Sequence, residues 1–405
     1  MSNLFITKPR KLFFLIFLIS ILIIGCGTSE GGTSSSPFSS FPSFKSSSPT
    51  SKKISDINLY VGTSGLTAEF AKAAPPPKVF EQSSFPILLK IRNSGAYSIT
   101  DNRPALLSIG RERDYISKLT IYENENIKPT GIADNEALFK LGGKAQINPQ
   151  GDEALFSVDA NTGKLDPQSE NKQSSLTATI CYPYKTILST TVCIDPDVGN
   201  MRPGKKACTV KDITFSNGQG APISVVRIEP QMIPVVGPDQ KEYGEIKPQF
   251  LIFVENKGRG TPVDIIDYPR ACRSRDLESI AGGTRLYWNG ATIRVFTSRT
   301  LTSGEKPVER QTEEIEKGKI TLDRNELLCC PNFNGECKEK INEYETIEQM
   351  GFLRFRDRKD YIRCTFRQGV ARTADAYTSP LRVEIDYGYV QTISTSFLIQ
   401  KPLKY

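Results

Sequence analysis

Apolar and polar residues alternate along several short stretches of this chain, which is the period of a strand with one buried face. Ile87, Leu89 and Ile91 share one face of such a run, and it closes at Asn93, Ser94 and Gly95, a turn composition. The pattern returns with Phe250, Ile252 and Val254, leading to Asn256, Lys257 and Gly258. Thr284 to Val295 predicts a hairpin, because Asn289 and Gly290 suit a type I′ turn. That register puts Leu286, Trp288, Ile293 and Val295 on one face, with the lone tryptophan read as packing. Phe352 to Arg367 predicts a strand, a polar turn from Asp357 to Asp360 and a returning strand, with Leu353, Phe355, Ile362, Cys364 and Phe366 inward. Between residues 305 and 350 charge is mixed with modest apolar content, and Lys338 to Met350 reads as a short helix.

One pattern occurs twice. Leu176 to Ile194 reads LTATICYPYKTILSTTVCI, and Leu381 to Ile399 reads LRVEIDYGYVQTISTSFLI. At an offset of 205 residues they match at Ile180/Ile385, Tyr182/Tyr387, Tyr184/Tyr389, Ser189/Ser394, Thr190/Thr395 and Ile194/Ile399. β-Branched and aromatic residues dominate both, so each is expected to form the last two strands of a β domain, a closing hairpin. Two related units follow, residues 54–196 and 207–405, the second with an insertion. The polar segment DVGNMRPGKK at 197–206 is the expected linker.

A strand closing on Asn-X-Gly resembles the immunoglobulin-like, cell-adhesion-related domains of bacterial and archaeal surface proteins. Ser216 to Ser224 (SNGQGAPIS), Lys247 to Asn256 (KPQFLIFVEN) and Tyr377 to Tyr389 are similar to stretches of uncharacterised archaeal secreted proteins. The resemblance implies an all-β fold, two immunoglobulin-like β-sandwich domains in tandem, and a place outside the cell; it implies no activity.

The N-terminus sharpens the address. Lys8, Arg10 and Lys11 precede an apolar run from Leu12 to Ile24, broken by Ser20, and then Gly25 and Cys26. The run is too short to span about 30 Å of hydrocarbon as a helix and suits a signal peptide. Ile23, Ile24, Gly25 and Cys26 resemble the lipobox of secreted lipoproteins, which implies lipid attachment at Cys26 and removal of residues 1–25. The alternative is an uncleaved N-terminal anchor. Residues 26–53 are rich in serine and proline, a composition that cannot bury enough surface to fold, and are expected to be a disordered tether. Phe38, Phe41 and Phe44 recur there at the period of a polyproline II helix.

The absence of histidine removes histidine triads, histidine zinc sites and the commonest general base near neutral pH. Formal charge is +7 and falls to +4 without the leader, too mild to argue for nucleic acid. No Walker A loop, dinucleotide fingerprint or EF-hand loop is present, so no cofactor is expected. Ser169, Glu170, Asn171 and Lys172 spell S-x-x-K without the companion motifs of acyl-enzymes.

With Cys26 lipidated, Cys181, Cys193, Cys208, Cys272, Cys329, Cys330, Cys337 and Cys364 form an even set, read as disulfides behind a secretion signal. Cys181 and Cys193 are replaced together, by Asp386 and Leu398, in the second copy, so they are expected to pair with each other. The other six then pair among themselves in an order the sequence leaves open. A four-thiolate zinc site from Cys272, Cys329, Cys330 and Cys337 is the alternative, although CxxC spacing is absent.

Opposite the inward face of the Phe352 to Arg367 stretch stand Arg354, Arg356, Tyr361, Arg363 and Arg367. They read either as a solvated edge that discourages aggregation or as a guanidinium face for an anionic envelope polymer or phospholipid head groups. The sequence therefore predicts a non-catalytic, lipid-anchored protein on the outer face of the cell membrane, serving binding, adhesion or envelope structure. Its partners would be the membrane, through Cys26, and an anionic polymer or another surface protein. A carboxylate-based hydrolase of envelope glycans is the rival.

Overall fold

The computed structural model describes residues 59–236, 243–273, 290–297, 327–331, 351–366 and 369–402. In the first half the strands are β1 Leu66–Phe70, β2 Lys78–Phe80, β3 Ser84–Asn93, β4 Ala105–Arg111, β5 Ile116–Ile121, β6 Ile127–Pro129, β7 Glu136–Phe139, β8 Glu153–Thr162 and β9 Asn171–Ile194. There follow β10 Ile213–Thr214, β11 Ile223–Val236, β12 Tyr243–Asn256, β13 Thr261–Val263 and a short helix α1 Tyr268–Arg273. The last are β14 Gly290–Thr297, β15 Leu327–Pro331, β16 Gly351–Arg354, β17 Lys359–Phe366, β18 Val370–Ala371 and β19 Tyr377–Gln400. The all-β, immunoglobulin-like class expected from the sequence is what they build: sheets packed face to face, antiparallel except where β2 runs parallel to β19.

Among the described residues there are three sheets. One has the order β1-β3-β8-β5, and another runs β10-β11-β12-β17-β15 with β18 beside β12. The third, of nine strands, runs β16-β14-β19-β9-β4-β7-β6, with β2 and β13 also on β19. It backs both smaller sheets. Phe85 of β3 meets Phe397 of β19 at 5.0 Å, and Phe139 of β7 meets Phe156 of β8 at 5.1 Å. Thr186 of β9 reaches the Ile223 carbonyl of β11 at 2.7 Å. One continuous core results, with Ile87, Leu89, Ile91, Phe250, Ile252 and Val254 buried as their alternation predicts.

The repeated stretches differ from their expected form. Neither is a hairpin: β9 and β19 are single strands of 24 residues, and they pair with each other over their whole length, Asn171 opposite Gln400 and Ile194 opposite Tyr377. Pro183 and Gly388, equivalent by the 205-residue offset, are register partners, so the two copies meet about a local two-fold axis. Proline has no N–H to donate, and the pairing of β4 with β9 stops at Cys181, two residues earlier, so no ladder bond is lost there. The C-terminal half of β19 consequently packs in the first sandwich and that of β9 in the second, although residues 54–196 and 207–405 divide them in sequence.

Ile293 and Val295 are buried in β14, which begins at Gly290; Leu286 and Trp288 lie outside the described residues, as do the predicted helix Lys338 to Met350 and residues 1–58. Leu353, Phe355, Ile362, Cys364 and Phe366 are buried as expected. Their two strands, however, do not form one ribbon: β16 pairs with β14 in the nine-stranded sheet, and β17 pairs with β12 and β15 in the other.

Candidate functional site

Four tyrosines meet at the two-fold centre. Tyr182, Tyr184, Tyr387 and Tyr389 are fully buried, their rings between 5.5 and 6.3 Å apart in tilted or edge-to-face geometry. Each hydroxyl is satisfied, and symmetrically so. Tyr182 accepts the Leu66 N–H at 3.3 Å, and Tyr387 accepts the Ile223 N–H at 3.4 Å. Tyr184 donates to Asn93 Oδ1 at 3.0 Å, and Tyr389 donates to Asn256 Oδ1 at 2.9 Å. The amide of Asn93 then donates to the Tyr97 carbonyl at 2.8 Å, and that of Asn256 to the Gly260 carbonyl at 2.9 Å, four residues on in both copies. A methyl group at Gly95 or Gly258 would collide with the Tyr184 or Tyr389 hydroxyl, so the glycine of each Asn-X-Gly is required by close approach.

Burial pushes all four phenols upward, Tyr182 and Tyr387 well above the usual tyrosine value. Tyr389 is raised to about 12, with the Gly260 N–H, Arg358 and Asn256 pulling the other way. The cluster therefore holds neutral phenols near neutral pH. It is a hydrogen-bonded rivet between the copies, not a set of bases.

On the outer face of the same strands, Lys185 lies 3.3 Å from Glu384 and 3.2 Å from Asp386, and Arg382 lies 2.7 Å from Glu384. Burial raises Glu384, but Lys185 and Arg382 outweigh it and hold the carboxyl below its ordinary value. Two carboxylates on one strand face are what a carboxylate hydrolase would need. Here Lys185 grips both, whereas an acid catalyst must keep its proton. Beside this cluster α1 covers a small second core of Leu106, Cys181, Val263, Tyr268, Ala271 and Cys272. Tyr268 donates to the Pro104 carbonyl at 2.7 Å, and Arg273 pairs with Glu136 at 3.0 Å.

The cysteines join differently from expectation. Cys181 bonds to Cys272 and Cys193 to Cys208, with Cα separations of 5.6 and 5.8 Å; Cys329 bonds to Cys364. A Cys181–Cys193 bond presupposed a hairpin. Twelve residues of one extended strand place the two about 40 Å apart, beyond any disulfide. Cys208 and Cys272 belong to the second unit in sequence, so that unit's cysteines do not pair only among themselves. With Cys272 and Cys329 each in a disulfide, the four-thiolate zinc alternative does not hold. Cys330 lies beside Cys329 in β15, while Cys26 and Cys337 lie outside the described residues.

Arg354, Arg356 and Arg363 are exposed and Tyr361 is half-buried; Arg367 lies outside the described residues. They do not form the expected single face. Leu353 of β16 and Ile362 of β17 both point into the core from opposite sheets, so Arg354 and Arg363, one residue further on, emerge on opposite sides of the sandwich. Ser169 sits in a turn on the Asp166 carbonyl, while Lys172 lies over the Tyr115 ring at 4.9 Å. Among the described residues no group of three or more His, Cys, Asp or Glu is placed to hold a metal, and no helix is long and apolar enough to cross a membrane. Sequence reading missed the buried amides of Asn93 and Asn256; their signal was the same Asn-X-Gly in both copies.

No protein-family model matches the chain, and no curated protein matches it. Among solved structures it is similar to the C-terminal domain of AspA, an antigen I/II-family protein of Streptococcus pyogenes, with 6% identity over 85% of this chain and 100% of that one, TM-score 0.17. A partial N-terminal region of the enterococcal surface protein gives 8% identity over 82% and 87%, TM-score 0.17. AvmM, which catalyses macrocyclisation in alchivemycin A biosynthesis, gives 11% identity over 30% and 75%, TM-score 0.18. Likenesses this slight carry no activity or partner across.

Proposed function

We propose that the chain is an exported, lipid-anchored, non-catalytic surface protein serving binding, adhesion or envelope structure. The observation that carries this reading is the pair of disulfides, Cys181–Cys272 and Cys193–Cys208, that fasten β9 to α1, 91 residues on, and to the segment just before β10. Such bonds persist in oxidising compartments outside the cytosol. The ion-paired Glu384 and Asp386 support a non-catalytic role. In this reading 54–196 and 207–405 are two copies of one sandwich unit, joined at 197–206 and carried on a tether, 26–53, whose first residue bears the lipid. The test is mass spectrometry of the mature N-terminus together with cell fractionation. A diacylglyceryl thioether on Cys26, and release of a Cys26→Ser variant from the membrane fraction, are expected. An unmodified Cys26, or residue 1 retained on mature protein, would overturn the anchor.

A further inference from the structure

The chain enters the described fold at Leu59, and it does so in the middle of the molecule. The Gly220 N–H donates to the Gly62 carbonyl at 2.8 Å, and Gly220, at φ 67° and without a side chain, passes close to the Leu59 carbonyl. From there a continuous row of loops runs both ways across the two-fold centre. On one side the Ala96 N–H donates to the Gly220 carbonyl, and the Lys144 N–H donates to the Gly95 carbonyl, each at 2.8 Å. The Lys144 ammonium reaches the Val61 carbonyl at 3.3 Å. On the other side the Lys257 N–H donates to the Pro222 carbonyl at 2.7 Å, and Arg358 donates to the Asn256 carbonyl at 2.9 Å.

This row carries apolar side chains that face water. Ile147, at the tip of the turn between Ala145 and Asn148, is 97% exposed, Tyr60 54% and Val61 36%. It also carries Lys144, Lys257, Arg259, Arg358 and Lys359. Its acids are Asp357, Glu255, which lies 4.0 Å from Lys359, Asp360, which accepts the Arg354 N–H, and Asp152, whose carboxylate accepts from Gly142 and Asn148. Aliphatic and tyrosine side chains among lysines and arginines are the composition that settles at a lipid head-group boundary.

We propose that this row of loops is a second, protein-borne contact with an anionic membrane surface, Lys144 and Arg259 meeting head groups while Ile147, Val61 and Tyr60 enter the interface. The proposal deepens the anchoring reading, on which it rests: a lipid on Cys26 tethers the chain whose first described residue lies within this row. The diacylglyceryl expected on Cys26 carries two acyl chains and holds the chain by itself; a basic, partly apolar surface adds attraction to anionic head groups that lays the folded unit against the bilayer.

The experiment uses the mature chain from residue 26 with Cys26→Ser, which keeps the compact unit Lys53–Tyr405 whole. Its co-sedimentation with phosphatidylglycerol vesicles and with phosphatidylcholine vesicles is measured as salt is raised. Binding to the anionic vesicles at low salt, and its loss at high salt, are expected. Lys144→Gln and Arg259→Gln should each weaken it about fivefold, and Ile147→Ser severalfold. Lys118→Gln, at an exposed position of β5, should leave it unchanged. No binding, equal binding to both vesicles, or equal loss from Lys118→Gln overturns the proposal. Because this chain has no lipid, a failure here is separate from failure of the anchor: an unmodified Cys26 in cells with vesicle binding intact removes the anchor and leaves the contact standing.

Discussion

At position 181 of β9 a cysteine reaches to Cys272; at the equivalent position of β19 stands Asp386, ion-paired with Lys185 at 3.2 Å. The loops that close over the tyrosines differ in the same way. In the first copy the Gly95 carbonyl accepts the Lys144 N–H, and Gly151, at φ 74°, passes so close to the Asn93 carbonyl that a side chain there would strike it. In the second, the Arg358 guanidinium donates to the carbonyls of Asn256 and Gly258. To deliver it, Asp357 and Arg358 take φ 49° and 69°, left-handed values that non-glycine residues adopt at a cost. The difference teaches that the demand is fixed by the shared Tyr–Asn pair, while the supply is free to be covalent, backbone or ionic.

The largest effect should come from the covalent side. Cys272→Ser opens a bond that spans 91 residues and should cost about 4–5 kcal/mol in the chain-entropy model; Cys208→Ser, spanning 15, about 3 kcal/mol. Asp386→Asn should cost only about 1 kcal/mol, since Lys185 keeps Glu384. Urea unfolding midpoints decide, and equal losses for Cys272→Ser and Asp386→Asn would abolish the contrast.

Next come the amides. Asn93 donates to two carbonyls and accepts from Tyr184 and the Gly95 N–H, whereas Asn256 makes fewer such bonds. Asn93→Ala should cost about 3–4 kcal/mol and Asn256→Ala about 2 kcal/mol by thermal unfolding. The reverse order would show that the number of bonds each amide makes does not set its cost.

Alkali titrates the centre. The phenols keep their protons in the folded state at pH values where the unfolded chain loses them, so stability is fully present below about pH 10. It then declines as pH rises through the folded values, with Tyr389, raised to about 12, contributing about 2–3 kcal/mol to the loss. Tyr389→Phe should flatten part of the decline. A flat stability profile from pH 9 to about 12 would mean the phenols are not protected as described.

The smallest effect concerns the strained turn. Asp357→Gly removes a side chain from a left-handed position and leaves Arg358 in place, so it should stabilise by about 1 kcal/mol or less. Any destabilisation would show that Asp357 contributes more than a bend.

Alternation at Ile87, Leu89 and Ile91, and at Phe250, Ile252 and Val254, made the core faces legible, because a strand buried on one face has no other pattern to offer. The repeat was legible too. Its pairing was not: Tyr-Pro-Tyr and Tyr-Gly-Tyr look like interruptions in a chain whose strands are mostly short, and nothing local says that the two interruptions sit opposite each other. The disulfides were lost with the hairpin, since bonding depends on distance and a strand's length sets distance. Arg354 and Arg363 misled for a related reason: a turn can carry the chain from one sheet to the facing one without changing the alternation on either side.

The exchange of strand halves has a consequence for the order of events in folding. The first sandwich needs Phe397 against Phe85, and Leu398 to Gln400 beside β2, so its core stays open until the last long strand arrives. Contacts that bridge more than 200 residues cannot form during synthesis of the first half and reward the chain only late. The two sandwiches should therefore mature in one concerted, slow step, exposed meanwhile to aggregation and to chaperones. Pulsed proteolysis during refolding should find no resistant fragment corresponding to residues 54–196 before the whole chain becomes resistant; an early fragment of that size would show the first half folding unaided.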